Sequence, residues 1–128
     1  MIYIIEILYG GVCVLMGWWD ARDRNEGNYS GMRHAINFAT HITTAVLTSV
    51  FLGWWTGLII LCEARIVFNT ALNFFSEPRL PIDYVTAEKR PRSFVDRIEK
   101  KIFGMNGVLP LLVYTILLIG LNILYARN

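Results

Sequence analysis

The residues of this chain with chemical potential are His34, Asn37, His41, Glu63, Arg65, Asn69 and Asn73. Histidine with a carboxylate is a common zinc ligand set, and the same groups relay protons near neutral pH. A zinc pair on one helix sits one turn apart, whereas His34 and His41 are seven residues, two turns, apart. That spacing argues against a metal centre. A proton or ion pathway using His41, Glu63 and Arg65 is chemically apt. A second set comprises Asp20, Asp23, Arg24, Asp83, Tyr84, Asp96 and Arg97. Its carboxylates suit a divalent ion and a phosphate, but no complete phosphotransfer or lipid-transferase spacing accompanies them. No catalytic residue and no cofactor is assigned.

The first set stands where water is scarce. The 128 residues are 55 % hydrophobic, with a mean hydropathy of +0.44, and only 17 % are charged, against about 25 % in a soluble domain. Of 12 Lys and Arg, ten fall in 20–34 and 76–104. Between these charged blocks lie apolar runs long enough to cross a bilayer, which needs about 20 helical residues. The pattern predicts an all-α integral membrane protein in one domain, with spans at about 2–19, 34–52, 56–75 and 108–125. The stretch 34–75 is a helical hairpin whose tip is Gly53-Trp54-Trp55-Thr56-Gly57. Trp18 and Trp19 suit the headgroup level. The first span lacks the basic start and small-residue cleavage site of a secretory signal.

The loops 20–33 and 76–107 share one side, and the positive-inside rule puts them in the cytoplasm. Both termini and the Trp54-Trp55 tip then face outward, in a membrane that is expected to be the bacterial inner membrane. If the first helix runs on past the membrane, Asp20 and Arg24 are spaced to pair. Residues 93–103 read as a short amphipathic helix along the cytoplasmic surface. Ser93 and Asp96 resemble a capping box, Phe94, Val95, Ile98 and Ile102 share a face, and Gly104 suits the C-cap. Pro110 falls in the first turn of the last span, where its missing N–H costs little. A net charge of +2 without a basic stripe excludes nucleic acid as a partner. Cys13 and Cys62 read as small hydrophobes at lipid depth.

Helical spacing sorts the polar residues. His34, Asn37, His41, Thr44 and Thr48 form one stripe on the second span; Arg65, Asn69 and Asn73 form another on the third. His41 lies 13 residues before Trp54 and Arg65 lies 11 after it, so a hairpin brings them to similar depth. The two stripes are expected to face and satisfy each other. Arg65 at mid-membrane needs an internal partner. Glu63 is about 200° away around the helix, so it must face something else: Thr115 of the last span, or an arginine of a second copy.

Arg65-Ile66-Val67-Phe68-Asn69-Thr70-Ala71-Leu72-Asn73, then Leu80-Pro81-Ile82-Asp83-Tyr84 and Asp96-Arg97, carry a resemblance, joined by Asp20, Asp23 and Arg24 after the first span. The pattern is similar to that of small uncharacterised multi-span membrane proteins of bacteria and tailed phages. The resemblance implies a gene context rather than an activity. The expected role is a non-enzymatic assembly or accessory subunit, holin-like in size and span number, partnered by the lipid bilayer and by copies of itself or other membrane subunits. A small channel, transporter or proton-pathway subunit is the alternative, and a membrane-embedded enzyme with cytoplasmic carboxylates comes third.

Overall fold

A computed structural model describes residues 1–27, 31–77, 79, 94–104 and 108–128. Among these residues the chain forms five helices and no strand: α1 (Ile2–Asn25), α2 (Gly31–Leu52), α3 (Trp54–Phe75), α4 (Phe94–Phe103) and α5 (Val108–Arg127). Four of them, α1, α2, α3 and α5, are long and apolar enough to cross a membrane. Ser93, Pro78, Pro81 and most of the loop 76–107 lie outside the described residues, so the capping box expected at Ser93 does too.

α1 runs on to Asn25, past the expected end of the span. Its last two turns are polar, and an exposed ion pair spans their end: Arg22 Nε donates to Glu26 Oε1 at 2.8 Å. The hairpin between α2 and α3 is tighter than the five-residue tip expected. Gly53 alone reverses the chain, with φ 105°, a conformation open to glycine and strained for any residue with a Cβ. Trp54 and Trp55 therefore stand in the first turn of α3, while Thr56 donates both its N–H and its hydroxyl to the Gly53 carbonyl, at 3.0 and 2.7 Å.

α3 is the hub. α1, α2 and α5 each pack along it, but they barely touch one another. Small residues make these seams close. A Cβ on Gly17 of α1 would come within 2.8 Å of both Ala71 Cβ and the Phe68 carbonyl oxygen on α3. Gly57 of α3 is pressed in the same way against the Ala45 carbonyl and Ser49 of α2. α1 and α3 run parallel and finish together. Asn25 ties their ends, donating from Nδ2 to the Phe75 carbonyl at 3.2 Å and accepting the Glu77 N–H at 2.9 Å.

A candidate functional site in the span polar network

Arg65 does not meet the second span. Its guanidinium is held by α4: Nε donates to Glu99 Oε1 at 2.6 Å, Nη2 donates to Asp96 Oδ1 at 2.8 Å and also to Glu99 Oε2. Tyr114 of α5 donates its hydroxyl to the same Glu99 oxygen at 2.7 Å. One forked cation thus ties α3, α4 and α5 together, the bidentate geometry at which arginine excels. The expectation that Arg65 faces the stripe of the second span is corrected here. A long cationic side chain reaches to where negative charge is available, and α2 carries no carboxylate.

α4 also differs from the sequence reading. Its face toward the protein is acidic, with Asp96 and Glu99 buried, while Phe94, Ile98 and Ile102 point away from the protein. Three residues apart, Asp96 and Glu99 share one side of a helix. That spacing was the available signal, masked by the helix's excess of Arg and Lys. Arg97 is exposed.

His41 is satisfied by α1 instead. The Tyr9 hydroxyl shares a hydrogen bond with His41 Nδ1 at 2.5 Å, and the ring stands edge-on to Phe68 at 5.6 Å between centroids. Thr40, Thr44 and Thr48 return their hydroxyls to their own helix, donating to the carbonyls of Ile36, Thr40 and Thr44 at 2.9–3.0 Å. They need no partner on α3. Replacing Tyr9 by Phe removes only the hydroxyl and leaves a half-buried imidazole nitrogen unpaired. The expected loss is about 1–3 kcal/mol in a denaturant titration of the detergent-solubilised protein. A loss within 0.3 kcal/mol, roughly the error of such comparisons, would show that this hydrogen bond adds nothing net.

Glu63 is buried against α1, and Thr115 returns its hydroxyl to the Leu111 carbonyl of its own helix at 2.7 Å. The Glu63 carboxyl lies against Gly10 of α1, with Oε1 2.8 Å from where a Cβ would stand. The parallel packing of α1 fills the side of α3 on which Glu63 stands. Near the end of the same seam where both termini lie, Asn122 of α5 donates from Nδ2 to Glu6 Oε1 at 2.8 Å, and Tyr3 meets Tyr125 edge to face at 6.2 Å. Tyr9, Glu6, Glu99, Tyr114 and Asn122 were all missed from sequence. Each is a single polar residue in an apolar or amphipathic run, and its partner lies on a different helix.

His34, Asp20 and Asp23 gather at the charged end. His34 Nδ1 is 4.0 Å from Asp20 Oδ2, Asp20 being buried, and Arg33 pairs with Asp23. Arg33 also stacks over the Trp19 ring, 4.9 Å from its centroid. Asn37, Asn69 and Asn73 are buried within the bundle. Arg24 lies one turn beyond Asp20 on the same helix end. Asp83 and Tyr84 lie outside the described residues. Cys13 and Cys62 are free and buried, and no group of three His, Cys, Asp or Glu among the described residues is placed to hold a metal ion. Compared with known protein families, curated proteins and solved structures, the chain has no significant match.

Proposed function

We propose that this chain is a non-enzymatic integral membrane subunit that works by lateral assembly, with copies of itself or with other membrane proteins. The observation that carries this reading is the open packing around α3. The flanking helices pack on α3 and hardly on each other. Apolar grooves are left between α1 and α2, lined by Val12, Leu15, Trp19 and Ile36, and along α5, lined by Tyr3, Leu118 and Ile123. α5 buries only Pro110 among its described residues. The strongly polar groups inside the spans pair mainly within the chain, so what is offered to a neighbour is shape and apolar surface. Association between helices in lipid rests on such packing.

The ends of α1 and α3 that Asn25 joins carry the charged segments, which favours a cytoplasmic location for that end, in a bacterial inner membrane with both termini outside. α4 then lies at the cytoplasmic interface as an amphipathic helix. Its Phe94, Ile98 and Ile102 side enters lipid and its acidic side rests on the four-helix bundle through Arg65. Size, span number and resemblance to phage-encoded membrane proteins favour a holin-like version of this role.

Light scattering of the protein extracted in lipid nanodiscs tests the proposal. The expected protein mass is a multiple of the 14.7 kDa chain, or one chain with a stoichiometric membrane partner. A lone monomer overturns it. Induced expression with a potential-sensitive dye tests the holin-like version: rapid depolarisation supports it, and an unchanged potential removes it.

A further inference from the structure

α1 and α2 run antiparallel, with His34 beside Asp20 at one level and His41 bonded to Tyr9 at a deeper one. Each packs on α3 and barely on the other, and the groove between them is graded in polarity. At the charged end Arg33 lies over the Trp19 ring, 4.9 Å from its centroid, and pairs with Asp23. About one turn deeper on α2 stand Ile36 and Asn37, and Leu15 and Val12 of α1 complete the wall. From Trp19 to Val12 is about 10 Å of helix, roughly two thirds of the ~15 Å hydrocarbon depth of one leaflet.

Asn37 is the residue out of place in that wall. It is 8 % exposed, and its Nδ2 has no hydrogen-bond partner among the described residues. The threonines of the same helix return their hydroxyls to its own carbonyls, whereas the Asn37 amide nitrogen brings donors that the helix leaves unanswered. A donor unpaired in apolar surroundings is costly, so an acceptor is needed at this level.

A glycerophospholipid supplies that acceptor. Its phosphate suits a guanidinium, its ester carbonyls lie one glycerol unit deeper, and its tails are apolar. Arg33 and Asn37 are four residues apart, about 6 Å along α2, so phosphate and ester carbonyl meet them in that order. Trp19 stands at the headgroup level, where such rings concentrate. Charge at the mouth is balanced, Arg33 against Asp23, which matches a headgroup holding both a phosphate and an ammonium. An apolar helix of a neighbouring protein would fill the lower groove but leave Asn37 unpaired.

We propose that the α1–α2 groove binds one zwitterionic glycerophospholipid, with its phosphate on Arg33, an ester carbonyl on Asn37 Nδ2 and one tail along Leu15 and Val12. The lipid closes the gap between two helices that do not close on each other, and the groove along α5 is left to a protein neighbour. The site lies within one chain, so it stands whether or not the chain assembles.

Native mass spectrometry of the whole chain in mild detergent tests this, with phosphatidylethanolamine or phosphatidylglycerol of identical tails added in turn. One phosphatidylethanolamine is expected to stay on each chain, held more tightly than phosphatidylglycerol. Asn37→Leu removes the donor and should weaken binding about fivefold, the loss of one ordinary hydrogen bond. Arg33→Gln removes a charged contact and should weaken it about tenfold. Val12→Trp fills the lower groove without touching a polar partner and should abolish retention, with helix content unchanged by far-ultraviolet circular dichroism. Ile119→Trp, in the α5 groove, should leave retention as it is. A wild type that keeps no lipid overturns the proposal, and so does equal retention by a folded Val12→Trp. Tighter binding of phosphatidylglycerol overturns the headgroup assignment. If Val12→Trp instead releases a second chain and leaves the lipid count unchanged, the occupant is a protein and the lipid site is refuted. The same spectra count chains and lipids separately, so failure of this site is distinguishable from failure of assembly.

Discussion

Arg65→Ala is expected to destabilise the protein by about 3–5 kcal/mol, the typical result of removing one partner from a buried ion pair. The size follows from what is left behind. Asp96 and Glu99 are buried and face the vacated guanidinium, so both would lose the cation that pairs with them. Glu99 also holds the Tyr114 hydroxyl, so the loss reaches α5. Arg65→Lys should recover only part of the deficit, because a point charge cannot reproduce the forked contact with Glu99 and the bond to Asp96 together. Removing all three charges, with Arg65, Asp96 and Glu99 replaced by Leu, should cost less than Arg65→Ala, since no charge is then stranded and only the neutral Tyr114 hydroxyl loses its acceptor. A reversible detergent-denaturant titration followed by circular dichroism measures all three variants. If Arg65→Ala unfolds within about 0.5 kcal/mol of wild type, the range of ordinary surface substitutions, the cluster does not hold α4 and α5 in place.

The second large effect belongs to Gly17. An alanine Cβ there would sit 2.8 Å from the Phe68 carbonyl oxygen and 2.9 Å from the Leu72 nitrogen. Both are backbone atoms of a helix and cannot rotate aside, so α1 as a whole must move off α3. Overpacking of this kind costs about 1–3 kcal/mol and outweighs the gain of up to about 1 kcal/mol in helix propensity on replacing glycine. The loss should be larger for Gly17→Val. Gly11 and Gly120 supply the control, because a Cβ at either meets nothing within 4 Å. Their alanine variants are expected to be neutral or slightly stabilising in the same titration. If Gly17→Ala behaves like those controls, the close α1–α3 seam is not needed for stability.

The two predictions also separate what was legible from what was not. The apolar runs, the glycine at the hairpin and the confinement of charge to two segments set four long apolar helices, since each follows from local composition and chain length. Spacing likewise placed Glu63 and Arg65 on opposite sides of α3, because the angle between two residues of a helix depends on that helix alone. Which neighbour fills each side is a different kind of quantity. It depends on which seams can close, and the closest seams form where Gly17 meets Ala71 and Gly57 meets Ala45. Once α1 lies along α3, Glu63 is committed to Gly10 and His41 to Tyr9. Arg65 then finds its charge partners on α4, whose acidic pair its basic residues had concealed in the composition. Periodicity, hydropathy and charge by themselves determined the helices and the faces their side chains take. Only tertiary packing decided the partners, because contact between helices is a matter of shape across space and no spacing along one helix encodes it.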